Sequence, residues 1–98
     1  ARLQPPMINL GGIVDNGTSQ QPPFKRGQQV SIYGSNFGGS NSGRSGEARV
    51  WIGDHAIVPE FQSPHLIDLQ WPADAPASAP VSVEVNGCIG NAFMVATR

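Results

Sequence analysis

The sequence predicts an all-β sandwich of about seven short strands. Three observations carry this. Apolar and polar residues alternate in short runs, most clearly at Val81, Val83 and Val85 against Ser82 and Glu84. Twelve glycines and nine prolines are scattered along 98 residues and cut the chain into pieces too short for helices. No segment sustains a 3.6-residue apolar period over ten residues.

The elements follow in order. Residues 1–6 read as a linker into a single domain over 7–98. A first strand spans Met7 to Leu10 and resumes at Ile13-Val14 after Gly11-Gly12. Gln29 to Tyr33 alternates, with Val30 and Ile32 on one face. A long polar loop follows, and then a strand from Arg49 to Ile52. Ala56 to Phe61 is a further strand, and Pro59 demotes it to a sheet edge because proline donates no ladder hydrogen bond. His65 to Trp71 lies between Pro64 and Pro72, too short a span for a stable helix, so Leu66 to Trp71 reads as a strand. Pro80 to Val85 is the next strand. Asn86-Gly87 then marks a two-residue hairpin, since both central residues of a type I′ turn need positive φ. The last strand holds Phe93 and Val95 and runs up to Thr97.

Alternation supplies an inward set: Ile8, Val30, Ile32, Val50, Ile52, Ile67, Leu69, Val81, Val83, Val85, Phe93 and Val95. Side chains of this kind from two sheets fill a core about 10 Å thick. Tyr33 and Trp51 fall out of phase with them and are expected to face outward. Trp71, at a strand end, is expected to turn inward with Leu69.

Composition excludes several roles. Only 13% of residues are charged, the formal net charge is −1, and Lys25 is the single lysine. Nucleic-acid binding draws on a concentrated basic surface, which this chain lacks. No apolar run is long enough to span a bilayer as a helix. Cys88 is the single cysteine, so no internal disulfide forms. The chain opens on Ala1 rather than methionine, as a mature or an excised fragment would, and either leaves room for a larger parent protein.

The stretch from Val30 to Gly39 reads as a corner. Gly34 breaks the strand, Asn36 tolerates the left-handed region, and Phe37 folds back to cap the open end of the sandwich before Gly38-Gly39 releases the chain. A phosphate-binding reading fails, because no helix follows and no G-K-[ST] is present.

Gly27-x-x-Val30-x-Ile32-x-Gly34-x-Asn36-Phe37-Gly38 resembles the signature corner of the IPT/TIG domains. Other landmarks fall in that family's order: Pro6-x-Ile8, Val50-x-Ile52-Gly53, Ile67-x-Leu69-x-x-Pro72, Val81-x-Val83-x-Val85-Asn86-Gly87 and Asn91-x-Phe93. The resemblance implies an immunoglobulin-like sandwich of the E-set type, the fold shared by plexins and Rel-type transcription factors. Gly11-Gly12-Ile13-Val14 and the spacing are similar to versions in extracellular bacterial proteins, which implies secretion or display at a cell surface. Two departures stand out. Gly90 takes a place where the family often has a small residue such as serine, and the loop from Ser40 to Glu47 is long.

Candidate chemistry is sparse. His55, His65, Asp54, Asp68 and Ser63 are near in sequence, but neighbours in strands face opposite ways, so no catalytic set is expected. Zinc wants three or four His/Cys ligands at defined spacing, and only three such residues exist, none so placed. Asp15 and Asn16 could offer oxygens to calcium, yet no EF-hand pattern surrounds them. Asn16-Gly17-Thr18 is a formal glycosylation sequon that also reads as plain turn chemistry. No catalytic residue, metal or cofactor is expected.

The resulting expectation is a non-catalytic module of a larger secreted or surface protein, acting in domain spacing or protein contact. The alternative is a carbohydrate-binding accessory domain that stacks sugars on Trp51 and Tyr33. A Rel-like dimerisation or DNA-contact domain is disfavoured by the charge balance. Any ligand is expected at those outward aromatics or at the Ser40 to Gly46 loop, with Gly34, Asn36, Phe37 and Gly38 serving structure.

Overall fold

A computed structural model describes residues 5–37 and 48–98. Among these described residues eight strands form: β1 (Met7–Asp15), β2 (Gln29–Ser35), β3 (Ala48–Ile52), β4 (His55–Ile57), β5 (Phe61–Gln62), β6 (Leu66–Gln70), β7 (Ser78–Val85) and β8 (Cys88–Ala96). They make two antiparallel sheets, ordered β1-β2-β6-β5 and β4-β3-β7-β8. Together these are an immunoglobulin-like β-sandwich.

The eighth strand comes from one reading that the structure corrects. Ala56 to Phe61 is not one interrupted strand. β4 pairs with β3 in the second sheet, and β5 pairs with β6 in the first. Val58 to Glu60 is the crossover between sheets. Pro59 has no N–H for either ladder, so this is where the chain can leave one sheet for the other.

Between the sheets lies the core the alternation predicts. Eleven of the twelve expected inward residues are buried, and Phe93 is half-buried against them. Trp71 is fully buried, as expected. Alternation missed Phe24, Ile13, Ala48, Ala75 and Ala79. Phe24 follows Pro22-Pro23 and reads as loop, yet its N–H donates to Ala96 O (3.1 Å) and its carbonyl accepts from Arg98 N (2.8 Å). That single parallel bridge beside Thr97 turns the ring inward against Trp71, edge to face, with centroids 5.2 Å apart.

The Asn86-Gly87 hairpin forms as read. Asn86 and Gly87 sit at φ 54° and 83°, and Val85 pairs directly with Cys88. β1 resumes at Ile13-Val14 after the glycines, as read. It runs on to Asp15 with an irregularity between Ile8 and Ile13, where Gly11 takes φ 71°.

Candidate functional site

The corner that closes β2 shows which residues build structure and which remain for contact. Phe37 is fully buried. Its N–H donates to Pro64 O (3.1 Å), and its carbonyl accepts from Gln62 Nε2 (2.9 Å). Asn36 takes φ 62°, as the turn requires, but its amide bonds Pro5 O (3.3 Å) rather than its own backbone. Gly34 does not end the ladder: it pairs with Ile8, and Ser35 pairs with Met7 beyond it. Its lack of a side chain is a packing demand, since a Cβ there would lie 2.1 Å from Met7 O and 2.4 Å from the Phe37 ring. Gly38 and the Ser40 to Gly46 loop lie outside the described residues.

A second tie joins the sheets at the same end. The Asn91 side chain acts as a backbone surrogate for β1: Oδ1 accepts from Ile8 N (2.8 Å) and Nδ2 donates to Ile8 O (2.9 Å). Gly90 makes this approach feasible. A Cβ on it would stand 1.5 Å from Pro6 O, and Pro6, at the end of the linker segment, is itself buried. The departure at Gly90 is therefore dictated by the close entry of the chain into β1. Gly90→Ala should force Pro6 aside and cost about 1–3 kcal/mol, by analogy with overpacked cores. A chemical-denaturation midpoint equal to that of the unmodified domain would refute this.

Most of the polar residues that sequence reasoning weighed for chemistry are engaged in holding strands. Both Asp15 oxygens accept N–H donors: Oδ1 takes Gly17 N and Thr18 N (2.8 Å each), and Oδ2 takes Gln28 Nε2. Both carboxylate oxygens are thus engaged in closing this loop. The Thr18 N–H above all, then Gln28 and Gly17, hold the Asp15 carboxyl below its ordinary pKa. A depressed folded-state pKa means stabilisation that is present at neutral pH and lost as pH falls through the folded value. Asp15→Asn should therefore flatten the acid side of the stability-versus-pH curve, by a small amount because the loop is exposed. Urea midpoints measured from neutral to acid pH on both proteins test this.

Asn16 Nδ2 donates to Ser31 Oγ (2.8 Å), which donates in turn to Asp68 Oδ1 (2.7 Å). This chain runs from the turn just past β1 across β2 to β6 on the outer face of the first sheet and explains why Ser31 is buried at an outward position. Ser63 closes the β5–β6 turn, with Oγ accepting from Leu66 N (3.1 Å). His65 Nδ1 lies 3.3 Å from Gly34 O, and His55 stands on the other sheet, 4.0 Å from Asp74. Ser63, His65 and Asp68 thus serve turn and strand separately from His55, and they do not converge on one point. Arg26, half of the one basic pair, donates to Ala75 O (2.9 Å) and to Arg98 O (3.3 Å).

The expected ligand face built on Tyr33 and Trp51 does not form as one surface. Tyr33 is on β2 and Trp51 on β3, in different sheets, so the two look out from opposite sides of the sandwich. Trp51 is moreover half-buried, with Nε1 donating to Glu84 Oε1 (2.6 Å). Sequence alternation separates in from out but not one sheet from the other, which is why it could not see this.

What the structure leaves for contact is apolar surface on both outer faces. On the first sheet, Tyr33 (45% exposed) pairs with Leu66, and Phe61 (50%) pairs with Asp68. On the second sheet and its edge stand Ile89 (57%) and Met94 (66%). Phe61 was read only as the end of a strand; its exposure follows from the two-residue length of β5.

Compared with protein-family models, residues 14–97 match the IPT/TIG domain. No curated protein matches the chain.

Proposed function

The chain belongs to the IPT/TIG domain family, and from that premise we propose that it is a non-catalytic immunoglobulin-like module of a larger secreted or cell-surface protein, engaged in protein contact and domain spacing. Domains of this family are immunoglobulin-like modules of protein or DNA contact. The observation that carries the protein side of that pair is the exposed Tyr33 and Phe61, with the half-buried Leu66, on the outer face of the first sheet. Aromatic side chains that stay exposed on a rigid sheet are suited to anchor a partner surface. The charge balance supports the same side. DNA contact rests on phosphate neutralisation, and here the net charge is −1, with Arg26 directed at carbonyl oxygens.

The experiment places this domain next to its neighbouring domain in the parent protein. The tandem should melt at a higher temperature than the isolated domain. Tyr33→Ser with Phe61→Ser should remove that increment while leaving the isolated domain's melting temperature nearly unchanged. Identical melting alone and in tandem, with no effect of the double substitution, would sink the reading.

A further inference from the structure

The four sheet edges are not alike. An open edge offers unpaired N–H and C=O groups to any extended chain, and stable proteins blunt it by shortening, bulging, charging or covering it. β5 has two residues and β4 has three. β1 is broken by its irregularity at Gly11 and ends in Asp15. β8 has nine residues, Cys-Ile-Gly-Asn-Ala-Phe-Met-Val-Ala, with no charge among them.

The hydrogen bonds on either side of β7 show which β8 groups face outward. Gly53 N donates to Pro80 O (2.9 Å), so the Pro80 backbone points toward β3, and proline has no N–H to give in either direction. Pro80 pairs with Met94. Met94 is thus the non-hydrogen-bonded member of its antiparallel pair, and its own N–H and C=O point out of the sheet. The same phase assigns Ala92 and Ala96 to the outside. Ala96 confirms it, because its carbonyl accepts from Phe24 N on the edge side. Asn91 bonds β1 at one end of this stretch and Phe24 covers the other. Among the described residues, no strand pairs with the outer side of Ala92 to Val95 between them.

Beside that opening is a slot of about 130 Å³, walled by Gly11, Gly12 and Ile13 of β1, by Gln21 and Pro22, and by β8 from Phe93 to Val95. An apolar cavity of ~150 Å³ holds a benzene ring, so the slot suits one Leu- or Phe-sized side chain. Neither it nor β8 carries a charge, and a charged occupant would be desolvated with no counter-ion.

We propose that β8 accepts an extended, uncharged peptide segment by strand addition at the Met94 backbone, with one apolar side chain seated in the slot between β1 and β8. This deepens the reading of the domain as a protein-contact module and rests on it. Backbone pairing supplies attraction and the slot supplies selectivity, the division that strand addition uses. A second copy of β8 is a poorer occupant. An antiparallel pair centred on the opening would drive the Ala92 region of one copy into the place that Phe24 holds beside Ala96 in the other.

The test titrates the isotope-labelled domain with acetyl-Thr-Val-Thr-Leu-Thr-amide and follows backbone amides by NMR. The amides of Ala92 and Met94 should shift saturably and exchange more slowly. Two control peptides, one with proline at the centre and one with aspartate in place of leucine, should lose the effect. Met94→Pro should fold with a nearly unchanged melting temperature, since its N–H faces outward, and should lose binding. Met94→Lys, a natural form of edge protection, should lose binding without touching the backbone. Equal shifts with the proline peptide, saturating shifts elsewhere only, or no shift at millimolar peptide would overturn the proposal. So would concentration-dependent Met94 shifts without peptide, which would mean self-pairing. None of these results bears on the Tyr33 and Phe61 substitutions in the tandem, so the two readings fail separately.

Discussion

Trp71→Ala is expected to lower the stability of the domain by about 3–5 kcal/mol, the usual range for truncating a buried large aromatic. Several losses coincide there. The indole is fully buried and meets Phe24 edge to face. Its Nε1 donates to Thr97 Oγ1 (2.8 Å), and the cavity left behind would also strand that hydroxyl. The Trp71 backbone exchanges bonds with the segment entering β2, donating to Gln28 O (2.7 Å) and accepting from Gly27 N (2.8 Å). Those bonds survive the substitution, so the loss measures side-chain packing. Trp71→Phe separates the terms. It keeps much of the buried area and removes the Thr97 bond, so its cost should be a minor fraction of the alanine cost. Urea denaturation of the three proteins decides this. A phenylalanine variant as unstable as the alanine variant would show that the hydrogen bond, and not the packing, dominates.

Phe37→Ala should cost a similar amount, about 3–5 kcal/mol, at the opposite end of the same sheet. The ring plugs the corner where β2 ends, and it abuts the glycine that pairs with β1. Removing it leaves Gly34 facing a void, so the neighbouring exchange should also change. The Gly34 amide, held by His65 O (3.0 Å), should lose more protection than the Trp71 amide at the far pole. Hydrogen exchange on the variant distinguishes a local corner effect from uniform destabilisation. Should the ring prove dispensable, with a denaturation midpoint unchanged on truncation, the corner would have to be held by the Phe37 backbone bonds alone. Trp71 and Phe37 stand at opposite ends of β2, so their effects should add within about 0.5 kcal/mol in the double variant.

Much of this was legible in the chain. Period-two alternation named eleven of the eighteen buried core residues, because in a strand the side-chain direction is fixed by sequence parity alone. Asn86-Gly87 specified its hairpin because few other pairs accept positive φ twice. The IPT/TIG resemblance rested on glycines, asparagine and an aromatic whose places the backbone dictates, and the family match over residues 14–97 bears it out. Phe37 followed from the same local logic.

Other features needed the folded molecule. Phe24 looks like loop from its prolines, and only a long-range bridge to the C-terminal strand makes it core. Gly90 is a departure from the family pattern in sequence, and its reason is tertiary: the Pro6 carbonyl lies where its Cβ would go. Tyr33 and Trp51 were rightly read as outward, yet parity is blind to which sheet a strand joins, and only strand order sets them on opposite faces. The open edge of β8 belongs to the same class. Its lack of charge is written in the sequence, but that the Met94 amide faces outward depends on the phase of hydrogen bonds two strands away, counted from Pro80 and Gly53. Local chemistry determines turns, strand parity and the core; sheet membership, edge position and close backbone approach are relations between distant segments, which the tertiary structure alone decides.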